Sequence, residues 1–302
     1  MIQTVPMQVP STDGVHPLEG IVYLPKGTPK GLFQVVHGMT EYIGRYDGFM
    51  RRMAEAGYIS FGYDHLGHGK TAAADGEYGF IAHKNGWELL CQDVNRFAEA
   101  VRAQYGADLP YYLMGHSMGS FIVRIAAFEG LSKPDKLIVM GTGGPNPAAV
   151  PGLALLGCIR AFCGEKRISP FAEKMMFGSY NQKFPEDDPY AWLTKDPDIR
   201  NRYRQDDWCT FHFTVSALLD LIHLTKNASS VAGRREVPVL LVSGKMDPVG
   251  DYGQGVEQVR RRMEKAGISV TLKLYENARH EILNDDCQEA VIKDILYFID
   301  NL

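Results

Sequence analysis

The sequence predicts an α/β protein, with a mostly parallel sheet covered by helices on both faces and one helical insertion. Three observations carry this. Short apolar runs punctuated by glycine alternate with longer segments of helical period, the pattern of strands joined by crossover helices. The alternation stops between roughly positions 145 and 235, where prolines, aromatics and helix-period segments take over. The 302 residues, 45% hydrophobic and 23% charged, suffice for one large domain plus that insertion.

In chain order, Gly20 to Leu24, Gly31 to Val36, Tyr58 to Tyr63, Tyr111 to Met114, Lys136 to Met140, Val237 to Val242 and Val270 to Tyr275 read as strands. Among the helices, Trp87 to Tyr105 is the clearest, because Leu90, Val94, Phe97, Ala98 and Val101 recur at helical spacing beside charged neighbours. Asp251 to Ala266 and Asp286 to Leu302 follow the same pattern. Residues 1–147 and 233–302 are therefore expected to form the core domain and 148–232 a helical cap. An insertion between two strands leaves the sheet at the end where the strands deliver their C-terminal loops, which is where open α/β sheets bind ligands. The cap should roof the site.

Several classes are excluded. The net charge of −4 is spread along the chain with no basic block to neutralise phosphates, so nucleic acid is not an expected partner. Five cysteines (Cys91, Cys158, Cys163, Cys209, Cys287) without a Cys-x-x-Cys pair fit reduced thiols in a cytoplasmic protein. Met1 to Pro6 lack a basic segment followed by an apolar one, so no secretory signal is read. The most apolar long stretch, Ala148 to Cys163, contains Pro151 and Arg160 and is too short to span a bilayer.

The chemistry centres on Gly115-His116-Ser117-Met118-Gly119, which follows the strand Tyr111 to Met114 and opens onto a helix. A Gly-x-Ser-x-Gly turn holds its serine on a strained strand-to-helix corner, with glycines relieving the crowding. A serine hydroxyl needs a base, and the base needs a carboxylate to fix its tautomer. Past the end of the Val237 strand lies Asp247, with Asp251 its nearest rival; past the Val270 strand lies His280. The order Ser117, Asp247, His280 is that of the α/β-hydrolases. Two backbone N–H groups should hold the oxyanion: that of Met118, directly after the nucleophile, and that of Met39 in His37-Gly38-Met39-Thr40-Glu41, after the strand Gly31 to Val36. His116 is expected to pack or hydrogen-bond locally. His65 and His68, three apart in a glycine-rich turn, have no third ligand at a suitable spacing and read as packing residues, so no metal is expected. His83, His212 and His223 have no motif around them.

Together, His37-Gly38-Met39-Thr40-Glu41 with Gly44-Arg45-Tyr46, Asp64-His65-Leu66-Gly67-His68-Gly69, Gly115-His116-Ser117-Met118-Gly119, Asp247-Pro248-Val249 and Ala278-Arg279-His280-Glu281 resemble the monoacylglycerol lipase and lysophospholipase-like family of α/β-hydrolases. The resemblance spans nearly the whole chain. It implies the α/β-hydrolase fold and a serine ester hydrolase without cofactor, acting on monoacylglycerols, lysophospholipids or similar single-chain esters. The cap, with Trp192-Leu193-Thr194-Lys195-Asp196-Pro197 and Phe211-His212-Phe213-Thr214, departs from the usual monoacylglycerol lipase pattern, so acyl preference carries over poorly.

Between Val150 and Ile222 the cap holds more apolar residues than its own packing requires. Met175, Met176, Phe177 and Phe213 are the expected substrate-binding residues, the methionines being adaptable partners for an acyl chain. The alternative is that such residues form the cap's own core and its seam with the sheet domain. Pro151 to Cys163 is also open to transient contact with a lipid surface or to pairing with another subunit, between which the residues do not choose. Two other functions stay open. A peptidase on the same triad would use acidic cap residues to hold a free amine, from among Glu173, Glu186, Asp187, Asp188, Asp206 and Asp207. A non-catalytic binding protein of this fold is disfavoured by the intact Ser117, Asp247 and His280.

Overall fold

A computed structural model of the protein describes residues 2–230 and 236–301. Among the described residues, eight strands form a single sheet: β1 (Gln3–Pro10), β2 (Pro17–Leu24), β3 (Gly31–Val36), β4 (Tyr58–Tyr63), β5 (Tyr111–His116), β6 (Lys136–Met140), β7 (Val239–Gly244) and β8 (Val270–Tyr275). Their order is β1-β2-β4-β3-β5-β6-β7-β8. From β4 to β8 every pairing is parallel, while β2 runs antiparallel to both β1 and β4. Strands β3, β4, β5 and β7 are buried at every position, which is why they read as continuous apolar runs rather than as alternations.

The first strand lies outside the expected set. Polar residues and two prolines interrupt Gln3–Pro10, and of its eight residues Val9 alone is buried. An edge strand tolerates proline because one row of its N–H groups faces solvent, so the pattern that hides β1 also marks its place at the sheet edge. The Val237 strand is displaced to Val239–Gly244, since Pro238 cannot donate to the ladder.

Ten α-helices among the described residues accompany the sheet: α1 (Asp47–Glu55), α2 (Gly69–Ala73), α3 (Gly86–Tyr105), α4 (Met118–Phe128), α5 (Ala149–Cys163), α6 (Pro170–Phe177), α7 (Pro197–Gln205), α8 (Val215–Ala228), α9 (Gln254–Lys265) and α10 (Gln288–Asn301). Two apolar clusters place helices on both faces. One joins Leu90 and Phe97 of α3, Ile122 and Phe128 of α4, and Val259 of α9. The other joins Phe49 and Met50 of α1 to Ile295 and Phe298 of α10.

Helices α5 to α8 separate β6 from β7, and between these strands the described residues hold no extended pairing beyond one bridge, Ile168 with Thr214. The expected cap boundary at 232/233 lies outside the described residues. Helix α8 packs against α3, α4 and α5. In contrast, α5 buries just Ala149 and Leu156 and turns Val150 and Phe162 outward, Phe162 to 89% exposure. Among the described residues no helix is long and apolar enough to cross a membrane.

Candidate active site

Four strand ends build the site. At the end of β5, Ser117 takes φ +53 and ψ −119, a left-handed backbone that a non-glycine residue adopts at a cost, and its N–H donates to the Met140 carbonyl of β6 at 3.0 Å. The flanking glycines are required by space. A Cβ on Gly115 would lie 2.3 Å from the Gly119 carbonyl oxygen, and one on Gly119 would lie 2.2 Å from that of Val36. The corner can therefore close only with hydrogen at both positions.

Beyond β7, Asp247 is fully buried. Its Oδ2 lies 3.0 Å from Nδ1 of His280 and accepts from Ser243 Oγ at 3.3 Å, while its Oδ1 accepts the Val249 N–H at 2.9 Å. The rival Asp251 is exposed on the same loop. A buried carboxylate on Nδ1 fixes the proton there and leaves Nε2 as the basic nitrogen. After β3, Gly38 passes so close to Ser117 that a Cβ on it would lie 2.9 Å from Ser117 Cβ. Among the described residues, the N–H groups of Met39 and Met118 donate to no protein acceptor. Met118 opens α4, so its N–H has no intrahelical partner.

A buried charge network behind the site escaped the sequence reading. His116 presents Nδ1 to Tyr46 Oη at 2.9 Å and to Glu41 Oε1 at 3.2 Å, and its Nε2 lies 3.3 Å from the His280 carbonyl oxygen. Since a carbonyl only accepts, Nε2 carries the proton. Burial opposes a charge on His116, but the Glu41 hydrogen bond and charge outweigh it and raise its pKa. Burial would likewise raise Glu41, yet His116 and Arg45 hold it far below the usual carboxylate range. Glu41 also accepts the Gly38 N–H at 2.5 Å, and Arg45 forks onto Glu281 at 2.7 and 2.9 Å. His116 precedes Ser117, Glu281 follows His280 and Glu41 accepts from the loop that carries Met39, so the three segments bearing the candidate residues share one network. His116 thus bonds far beyond its local turn.

His65 and His68 do gain a third imidazole, which the spacing could not show. The His37 ring lies 4.2 Å from that of His65 and 5.2 Å from that of His68. Their nitrogens do not converge: His37 Nδ1 faces the Gly38 carbonyl, His37 Nε2 accepts the His65 N–H, and His68 Nδ1 faces the Leu66 carbonyl. Burial drives His68 down to about 3, so it stays neutral. These rings pack beneath the loop that carries Met39.

The expected substrate-binding quartet is not one wall. Met176 and Phe177 lie partly buried against the core, whereas Met175 is 59% exposed on the outer side of α6. Phe213 is fully enclosed, edge-on to His68 at 5.4 Å, and serves as packing for the turn that carries it. Nearer the triad, Trp192 lies 5.0 Å from the His280 ring, Tyr180 lies 5.0 Å from Trp192 and Phe177 lies 5.8 Å from Tyr180. This aromatic row links the cap to His280.

Residues 27–287 match the family described as Serine aminopeptidase, S33. The chain belongs to this family of α/β-hydrolases. Along its length it is similar to a crystal structure of a highly thermostable carboxyl esterase from Bacillus coagulans in complex with glycerol, at 30% identity, 99% coverage of both chains and a TM-score of 0.91. It also resembles a monoglyceride lipase homolog of Monkeypox virus, 27% identical over 90% of each chain. A monoacylglycerol lipase of Mycolicibacterium smegmatis is 26% identical over 96% of this chain and 98% of its own. Within the family, therefore, this hydrolase groups with the monoacylglycerol lipase-like members. Its triad candidates fall inside the matched region.

Proposed function

We propose that the protein is a serine carboxylic-ester hydrolase acting on monoacylglycerols, lysophospholipids or similar single-chain esters. The observation that carries this is the pairing of buried Asp247 with His280 at 3.0 Å, with the His280 ring 4.7 Å from that of His116, the residue before a serine held at φ +53. Ser117 Oγ attacks the ester carbonyl as His280 Nε2 takes its proton, and the Met39 and Met118 N–H groups receive the oxyanion. The protonated His280 then passes that proton to the departing alcohol, leaving an acyl-serine. Water, deprotonated by His280 in turn, releases the carboxylate and restores Ser117.

The relatives bearing lipase and esterase names support an ester substrate, and the partly buried Met176 and Phe177 support a single acyl chain. Although the family description names an aminopeptidase, three of the six cap carboxylates that would hold an amine, Glu173, Glu186 and Asp188, already face basic side chains. Arg279 takes Glu186, Arg200 and Arg204 take Asp188, and His212 faces Glu173. Apolar side chains turned to water on α5 and α6, including Phe162, Phe171 and Met175, support transient contact with a lipid surface. Five unbridged cysteines support a cytoplasmic site of action.

Turnover of monooleoylglycerol, a lysophosphatidylcholine and p-nitrophenyl butyrate by wild type and Ser117→Ala tests the reading. The expected loss is about a millionfold in kcat on every substrate the wild type accepts. Activity of the variant near that of wild type would overturn the mechanism.

A further inference from the structure

The residue before the catalytic histidine points away from the site and into the cap. Arg279 is 8% exposed, and its guanidinium donates to the Ala191 carbonyl at 2.6 Å, to Glu186 Oε1 at 2.6 Å and to the Thr194 carbonyl at 3.4 Å, while lying 4.4 Å from the centre of the Phe184 ring. All four partners belong to the cap stretch 184–194. Main-chain bonds continue the seam: the N–H of His280 donates to the Trp192 carbonyl at 3.3 Å and that of Glu281 to the Leu193 carbonyl at 2.7 Å. Asp285 closes it, accepting from Thr194 Oγ1, from the Lys195 N–H and from the Arg279 N–H.

We propose that Arg279 is a positioning residue that makes the cap strap 184–194 part of the mount of His280, so that alignment of the base depends on the strap being seated. The inference rests on the reading of His280 as the base. Its physical basis is the number of constraints the strap supplies. Asp247 holds one ring nitrogen of His280 and His116 faces its carbonyl, but the N–H of His280 and the segment on either side are held by cap atoms. A planar guanidinium satisfies two carbonyls, a carboxylate and an aromatic face at once; an ammonium is a point charge that cannot span them. Removing Arg279 strands the Ala191 carbonyl and leaves Thr194 to Arg200 alone, which loosens the strap and lets His280 drift from Ser117. A shift of about 1 Å at a reacting group costs on the order of 100-fold in rate. The cap is therefore split in function: this strap cannot lift without disturbing the base, so any opening belongs to α5 and α6.

The test compares Arg279→Met and Arg279→Lys with wild type on p-nitrophenyl butyrate, with kcat normalised to sites titrated by a fluorophosphonate. Arg279→Met is expected to lower kcat per titrated site about 10- to 100-fold with KM changed by less than about threefold, and Arg279→Lys to recover part of it. The low-field proton resonance of His280 Nδ1–H on Asp247 should broaden or move in Arg279→Met, which loss of global stability alone would not cause. Should Arg279→Met not accumulate as folded protein, the double variant Phe184→Leu with Glu186→Gln removes the outer half of the seam and should show the same kcat-selective loss. A kcat per site within about twofold of wild type, in either variant, overturns the inference. Failure of wild-type Ser117 to take the label overturns the triad reading and this inference with it; normal labelling with undiminished Arg279→Met turnover overturns this inference alone.

Discussion

Residues 184–195 of the cap meet the core through ion pairs and hydrogen bonds, with Arg279, Asp285 and Arg200 buried in the seam, whereas residues 149–177 turn Val150, Phe162, Phe171 and Met175 to water. The two stretches are adjacent in sequence and opposite in construction. Buried charges fix a geometry because each unpaired partner would be costly to leave. Exposed apolar side chains fix nothing by themselves and are retained where another surface meets them. On the proposed mechanism, one part of the cap holds the base, His280, and another is free to meet substrate.

The largest effect should come from the core side of this divide. Asp247→Asn leaves the strap intact but removes the charge on His280 Nδ1, and kcat is expected to fall about 10,000-fold with KM little changed. A loss below about tenfold would show that the strap, not Asp247, holds the base. A smaller and selective effect is expected on the outer half. Phe162→Asp with Phe171→Asp should slow hydrolysis of vesicle-borne monooleoylglycerol about tenfold while leaving p-nitrophenyl butyrate unchanged. Equal loss on both substrates would erase the distinction between the halves.

The smallest effect is one of stability and concerns how α8 is moored. Asp220 of α8 accepts the Trp87 N–H at the start of α3 at 3.1 Å, and its other oxygen is buried without a partner. Burial pushes it up to about 7 against the hydrogen bonds from Trp87 and Gly86 and the charge of Arg160. Because the folded pKa lies above the unfolded one, the folded state binds the proton more tightly. Stability should therefore fall as pH rises from about 4 to about 7 and level off above. Asp220→Asn should flatten that slope, gaining on the order of 2 kcal/mol relative to wild type between pH 5 and pH 8 by urea unfolding. An unchanged slope would show that α8 is not moored through this carboxyl.

Much of this was legible in the sequence because strand ends announce themselves. Ser117, Asp247 and His280 each follow an apolar run closed by glycine or a turn, so chain order is enough to propose their roles. The sequence favours Asp247 over its rival Asp251, and the structure buries the first and exposes the second. The network around His116 and the strap were hidden for a different reason. Arg45 pairs with Glu281 across 236 positions and Arg279 with Glu186 across 93, and no local pattern announces such partners. The cap's apolar content was legible, but not which of its residues pack its core and which approach His280. Phe213 is spent on packing against His68, Met175 faces water, and the row approaching His280 is Phe177, Tyr180 and Trp192.

The central claim is that Ser117 is the nucleophile of an ester hydrolase, and covalent capture tests it most directly. Incubation with a fluorophosphonate, followed by digestion and mass spectrometry, should yield one adduct per chain on the peptide containing Gly115 to Gly119, located at Ser117 and formed in step with loss of esterase activity. A natively folded protein that hydrolyses p-nitrophenyl butyrate while Ser117 stays unmodified, or that carries the adduct on another residue, would contradict it.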